Sequence, residues 1–296
     1  MDWEAQLILI YLTVCEFFMQ EDIRHTIRKS PNASPIFTDE EVMTIYIFGI
    51  LSGHRTNKQS HQFVYVHLKK WFPYLPKYST FNHRLNLLMV EFSQFCDRFI
   101  YNFRSKSHHP ENLIVLDSMP IMLAKGSRSG KAKVARNTAN LGYCASKKVF
   151  YHGVKFHLFA DYVEGALPNP HLLNITGARQ HDLPAVKNLF EEFVNCKIIA
   201  DKAYCDGELK SDLASKSIEL HTPYKLTKTK KELTEHEALY TKIINSFRQS
   251  IEIFFSWIIK VSGVQDGSRI RSEKGLGVHV FGRFAAAMIL LLARID

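Results

Sequence analysis

The spacing of apolar residues changes its period near residue 110. Upstream the pattern is helical throughout. Trp3–Phe18 carries apolar residues at helical spacing. Thr38-Asp-Glu-Glu41 has the form of a capping box, a hydroxyl at the N-cap and a glutamate three residues on. The apolar stretch Val42–Leu51 follows it and stops at Gly53. Pro73 and Pro76 break the next helix, and Ser79 or Thr80 caps a long one expected to run to about Phe103.

Downstream, short runs of period two appear. Leu113–Leu116 reads as a β-strand closed by Asp117. Tyr151–Asp161 places Val154, Phe156, Leu158 and Ala160 on one face and reads as a second strand, with Leu172–Thr176 as a candidate neighbour. Asp182–Val194 reads as a helix with Asp182 at its N-cap and Pro184 in its first turn. Lys197–Ala200 is a third short strand, again closed by a carboxylate, Asp201. Ser217–His221 is another candidate, and a long helix is expected from Thr234 to Val261. Strands alternating with helices predict an α/β domain with a mixed sheet. The division expected is therefore a helical domain over 1–109 and an α/β domain over 110–296.

Composition narrows the function classes. With 296 residues, 46% apolar and 23% charged, the chain has the make-up of a globular protein, not of a disordered or collagen-like one. Lys plus Arg is 38 against 29 for Asp plus Glu, a formal charge of +9, which favours a polyanionic partner. Residues 51–109 hold nine bases and two acids. Five cysteines without a Cys-x-x-Cys pair suggest reduced cytoplasmic thiols instead of a disulfide framework or a zinc site. No signal peptide is read at the start. The apolar run Phe284–Ala293 is short for a membrane span, which needs about 20 residues, and is expected to be a buried helix.

Candidate chemistry follows from Asp117 and Asp201. Two carboxylates at the ends of neighbouring strands stand where open α/β sheets place their functional crevice. Such oxygens suit a hard divalent cation. Glu252, on the long helix, is the candidate third acid. Between Ser118 and Ala160 there is no Asp or Glu, but there are eight bases: Lys125, Arg128, Lys131, Lys133, Arg136, Lys147, Lys148 and Lys155. An acid-free basic segment beside a carboxylate site fits a phosphate backbone. Gly126-Ser-Arg-Ser-Gly-Lys-Ala132 is not a P-loop, because it has three residues between the glycines and Ala after Lys. Competing acids Glu232, Glu235 and Glu237 lie in a charged stretch with Lys228, Lys230 and Lys231 and read as a solvated helix start. Glu252 instead stands among Ile251, Ile253, Phe254, Phe255 and Trp257, where a lone carboxylate needs a partner. His181-Asp182 is a candidate for ordering the rim of the site; His152 and His157 read as structural.

Five segments together carry a family resemblance. They are Ile114-Val-Leu-Asp-Ser118, Tyr151-His-Gly-Val-Lys-Phe-His-Leu158, Thr176-Gly-Ala-Arg-Gln-His-Asp182, Ile199-Ala-Asp-Lys-Ala-Tyr204 and Arg248-x-x-x-Glu252. The arrangement resembles the bacterial insertion-sequence transposases of the DDE type, most closely the insertion-sequence family numbered 982. The resemblance implies a ribonuclease-H-like catalytic domain with Asp117, Asp201 and Glu252 as metal-binding triad, preceded by a helical domain for the element's terminal repeats. It implies Mg²⁺, with Mn²⁺ as substitute, and phosphodiester cleavage and strand transfer. The partners implied are double-stranded DNA, as terminal inverted repeats and target, with no membrane, and a homodimer assembled on DNA in the bacterial cytoplasm. Asn245 and Ile259 stand where a related signature has Tyr and Lys. The DNA-contacting candidates are Lys125, Arg128, Lys131, Lys133 and Arg136, with Arg84 on a capped helix and Arg248 one turn before Glu252. A host nuclease of the same fold and a regulator that has lost catalysis are the alternatives.

Overall fold

The structure is a computed structural model and describes residues 2–20, 36–106, 112–226 and 230–295. Its packing divides into two compact units.

Unit 1 comprises Met1–Phe99, Ile258–Val264 and Ile270–Asp296. It contains α1 (Trp3–Gln20), α2 (Asp39–Leu51), α3 (Asn57–His67), α4 (Tyr78–Leu87), most of α5 (Met89–Lys106) and the C-terminal helix α9 (Glu273–Ile295). Every residue of α2 from Val42 to Ile50 is buried, so this helix is apolar on all sides and central. The capping box at its start forms: Glu41 N–H donates to Thr38 Oγ1 at 3.2 Å, and Thr38 N–H donates to Glu41 Oε2 at 2.6 Å. Gly49 lets the Ser60 side chain approach, since a Cβ there would lie 2.0 Å from Ser60 Oγ. The long helix expected from Ser79 is two helices, broken at Leu88. Neither Pro nor Gly marks the break; Leu88 is fully buried with ψ 21°, and tertiary packing overrides helix propensity there. Helix α9 is long and apolar enough to cross a membrane, and Phe284–Met288 are all fully buried within the unit.

Unit 2 comprises Ile100–Trp257 and Gln265–Arg269. The expected boundary at 109/110 falls outside the described residues, as does Lys228. The expectation also assigned everything after 110 to the α/β domain, whereas α9 packs with the N-terminal helices. Its full apolar face needs the apolar partners those helices supply.

The sheet of unit 2 has strands β1 (Leu113–Lys125), β2 (Asn140–Cys144), β3 (Val149–Asp161), β4 (Asn169–Gly177), β5 (Cys196–Ala200) and β6 (Ile218–His221). Their order is β2-β3-β1-β5-β6, with β4 also on β3. β1 runs antiparallel to β3 and parallel to β5, and β5 runs parallel to β6. β3 spends its first residues on β2 and its remainder on β4. One face is covered by α6 (Asp182–Val186), the turn that follows it and α7 (Gly207–Ala214). There Leu116, Phe159, Val186, Phe190, Ile198, Leu209 and Leu213 share one core. The other face meets α8 (Glu235–Ser262), where Phe156 packs edge-on to Phe255 and Tyr162 to Phe247.

Strand β1 is much longer than expected and does not end at Asp117. Pro120 lies inside it, at a position that tolerates proline. Met122 N–H points away from β3, to the Gln265 carbonyl at 2.9 Å, and Pro120 shares its parity. The proline's missing N–H therefore falls on the edge that β5 has already left, where proline is tolerated.

Candidate active site

The register of two strands sets the first two acids side by side. β1 and β5 pair in parallel up to Leu116↔Ala200. Asp117 and Asp201 are the next residues of each chain. Beyond them β1 continues along β3, while β5 turns into the short 3-10 helix Lys202–Tyr204. Asp117 is thus mid-strand, yet at the point where the parallel pairing ends. Alternation along β1 turns Asp117 to the face covered by α8 and Ser118 to the opposite face.

Helix α8 delivers the remaining groups. Arg248 and Glu252 lie one turn apart, so both reach the same place. The Arg248 guanidinium lies 3.6 Å from Asp117 Oδ2, 3.5 Å from Asp201 Oδ1 and 3.4 Å from Glu252 Oε1. The three acids brought forward from the sequence therefore converge on one cation. Arg248 is 13% exposed, Asp117 19%, Asp201 33% and Glu252 57%. Glu252 is on the open side, not enclosed by its apolar neighbours. Of those neighbours Ile251, Phe254 and Phe255 are buried, while Ile253 is exposed beside it. Asn245, one turn earlier, accepts from Arg248 Nη1 at 3.4 Å.

Burial dominates the electrostatics of Asp117. It pushes the carboxyl up to about 7, and the nearby Asp201 and Glu252 charges push the same way. The Ser118 N–H, which donates to Asp117 Oδ1 at 2.8 Å, and Arg248 pull it down. Among the described residues, no three acidic, imidazole or thiol groups stand close enough to share an ion directly. The three carboxylates are spread around a guanidinium, Asp117 and Glu252 on its Nη2 and Asp201 on its Nη1. The donor chemistry nonetheless fits a hard cation: three carboxylates and no nitrogen or sulfur ligand.

A second polar group lies on the opposite face and was only partly expected. Asp182 does not cap its helix; His181 holds the N-cap position, without a side-chain bond. Instead Asp182 Oδ1 accepts from Ser118 Oγ at 3.0 Å and from Lys155 Nζ at 3.0 Å, and Lys155 also donates to the Gln180 carbonyl at 2.9 Å. This buttress reaches the residue next to Asp117. The Asp201 turn is anchored by Tyr204, 1% exposed, whose phenol burial pushes well up. Lys155 is thus consumed internally. The buttress could be found from sequence only as the His181-Asp182 element, since nothing local links it to Ser118.

The basic candidates divide. Lys125, Arg128, Lys131, Lys133 and Arg136 are all exposed, at the end of β1, on the turn Gly126–Lys131 and on the segment after it. Arg84 is not: Nη2 and Nε bond Asp39 Oδ1 at 2.5 and 3.2 Å, and Nη1 donates to the Phe37 carbonyl at 2.6 Å. Its guanidinium is spent on holding the start of α2, and it leaves no fork for a phosphate.

The chain matches the family model described as transposase DDE domain over residues 108–290. No curated protein matches it. Among solved structures it is similar to a piggyBac transposase synaptic complex with hairpin DNA, at 11% identity and TM-score 0.50. That match covers 98% of this chain and 75% of the other. A pre-cleavage Mos1 transpososome matches at 11% identity and TM-score 0.23, over 94% and 86% of the two chains. The mixed sheet flanked by helices, after an N-terminal helical region, is the ribonuclease-H-like fold.

Proposed function

Since the chain belongs to the family of transposases with a DDE domain, we propose that it moves a bacterial insertion sequence of the kind numbered 982. It would bind the terminal inverted repeats of that element and carry out phosphodiester cleavage and strand transfer, as a homodimer assembled on DNA at the bacterial nucleoid. The observation that carries this reading is the convergence of Asp117, Asp201 and Glu252 on one point.

In this reading Asp117 and Asp201 would hold the divalent ions, and Glu252 would complete the set from α8. Two Mg²⁺ supply activation of the attacking oxygen and stabilisation of the leaving one. The protein's own residues do the rest. The parallel register fixes the spacing of Asp117 and Asp201. Ser118 N–H orients the Asp117 carboxylate, and the Asp182 buttress holds that strand position from behind. Glu252, the most open of the three, would be the ligand nearest the side from which DNA enters. Arg248 balances the acids' charge and keeps them gathered. The exposed bases from Lys125 to Arg136 grip backbone phosphate without reading sequence.

The test is incubation of purified protein and Mg²⁺ with labelled DNA taken from either side of its gene. A transposase nicks at the junction of the inverted repeat and joins the freed end to a second duplex. Cleavage without joining would point to a nuclease, and binding without cleavage to a regulator.

A further inference from the structure

The hairpin of β2 and β3 presents an apolar face that nothing in the reaction described so far uses. Tyr143 pairs directly with Phe150 across the two strands, ring centroids 4.9 Å apart, and Leu141 precedes them on the same face. All three are exposed, Tyr143 at 51%, Phe150 at 57% and Leu141 at 40%. The opposite face of the hairpin is ordinary core, where Cys144 and Tyr151 pack with Met122 and Ala178. The hairpin is thus anchored from its core face, and the cross-strand ring pair adds a modest stabilisation of its own while staying open to solvent. His152, which shares their face, turns inward and donates to the Val134 carbonyl at 2.8 Å.

Position and charge indicate what the rings meet. Phe150 has the same parity on β3 as Leu158, and Leu158 lies opposite Asp117. The aromatic pair is therefore on the sheet face that carries Asp117. From residue 150 to residue 158 is eight steps of a strand, about 26 Å at roughly 3.3 Å per residue. At about 3.4 Å per base pair, that is roughly eight base pairs of duplex. The hairpin lies inside the stretch Ser118–Ala160, which has no acid at all. Lys147 and Lys148 are exposed in the turn between its strands, and Lys147 also donates to Gln265. Exposed rings beside the exposed Lys147 and Lys148, on a stretch of chain that carries no acid of its own, match a ligand that offers flat apolar surfaces inside a polyanionic frame.

We propose that this hairpin is a base-contacting wedge. Tyr143 and Phe150 would stack on, or insert between, DNA bases about eight base pairs from the cut, while the neighbouring bases hold the backbone. The inference rests on the DNA-transposase reading and adds to it a contact with bases, separate from the phosphate grip of Lys125–Arg136. Aromatic stacking tolerates sequence and is strong, and apolar wedges unstack base steps.

The experiment compares the full-length chain with Tyr143→Ala/Phe150→Ala and Tyr143→Leu/Phe150→Leu. The probe is a mixed-sequence duplex of about 30 base pairs carrying 2-aminopurine at several central positions, titrated at a series of salt concentrations. The wild type should raise 2-aminopurine fluorescence on binding. The alanine pair should lose that rise and bind at least about tenfold more weakly, with the salt slope unchanged because no phosphate contact is removed. The leucine pair keeps apolar bulk on the strands, so that it guards against a misfolded alanine variant; it should bind more weakly than the wild type because it has no ring to stack. Equal affinity and an equal fluorescence rise in both variants would overturn the wedge. So would unchanged DNA binding with a change of oligomeric state, which assigns the face to a second copy of the chain. If the wild type binds no DNA at all, the transposase reading fails instead, and the two failures are thereby distinct.

Discussion

Replacing Arg248 by Met removes the cation on which the three acids converge, and its cost should depend on pH in a defined way. At an effective dielectric constant of about 20, a contact near 4 Å is worth about 4 kcal/mol before solvation is counted. Asp201 and Glu252 are open enough that solvent reduces their share to roughly 0–1 kcal/mol each. Asp117 is enclosed, so it decides the outcome. Burial has raised its folded-state pKa to about 7, far above the ordinary carboxyl value. A proton therefore binds the folded chain more tightly than the unfolded one. Wild-type stability from this group is greatest at low pH, falls as pH rises from about 4 to about 7, and then levels off. Without Arg248 the folded pKa rises further, and the fall continues above 7. The variant's extra destabilisation should grow by up to about 1.4 kcal/mol per pH unit there. Urea unfolding followed by circular dichroism, in EDTA, at about pH 6 and about pH 8.5, reads this directly. The gap between wild type and Arg248→Met should widen by about 2 kcal/mol between the two. A gap that is constant or narrows with pH would refute the claim that Arg248 chiefly serves a buried Asp117.

Three further outcomes are expected. Glu252→Gln should lower Mg²⁺-dependent cleavage by on the order of a hundredfold or more, since several kcal/mol of transition-state charge stabilisation is lost, and should leave DNA affinity intact. Survival of cleavage there and its loss in Glu235→Gln or Glu237→Gln would move the third acid; Glu237 instead accepts from Thr234 N–H at 3.0 Å, at the start of α8. Changing Lys125, Arg128, Lys131, Lys133 and Arg136 together to Gln should weaken binding to all duplexes and reduce the salt slope by up to about 4.5, measured by fluorescence anisotropy. Burial lowers His157 to about 4, and it is bonded to Thr176 Oγ1 at 2.8 Å. Its contribution is present above pH 6.5 and lost as pH falls toward 4, by up to about 3 kcal/mol. Wild type should therefore lose more stability than His157→Gln between neutral pH and about pH 4.5.

Much of unit 2 was legible because its chemistry sits in locally distinctive places. Two apolar runs each closed by an acid marked β1 and β5, and parallel pairing then brought Asp117 beside Asp201 without further information. Arg248 and Glu252 were legible as a pair because helical spacing alone joins them. What the local pattern could not carry was tertiary. Arg248 reads as Glu252's neighbour, and only the packing of α8 against the sheet shows that it also serves both aspartates. Arg84 reads as a groove-facing base, but Asp39, 45 residues earlier, claims it. Asp182 reads as a helix cap because of its position, yet Ser118 and Lys155 use its side chain. Strand β2 went unread: Asn140–Cys144 is short, contains a glycine and shows Leu141 and Tyr143 to solvent, so no alternation toward a core was visible.

The most direct test of the central claim is a crystal of the chain grown with Mn²⁺ and examined at the manganese absorption edge. The account predicts one or two anomalous peaks among Asp117, Asp201 and Glu252, about 3.5–4 Å apart if there are two. It also predicts that the Arg248 guanidinium withdraws from the space between them. Manganese bound at other acids, with Arg248 still holding all three carboxylates, would contradict it.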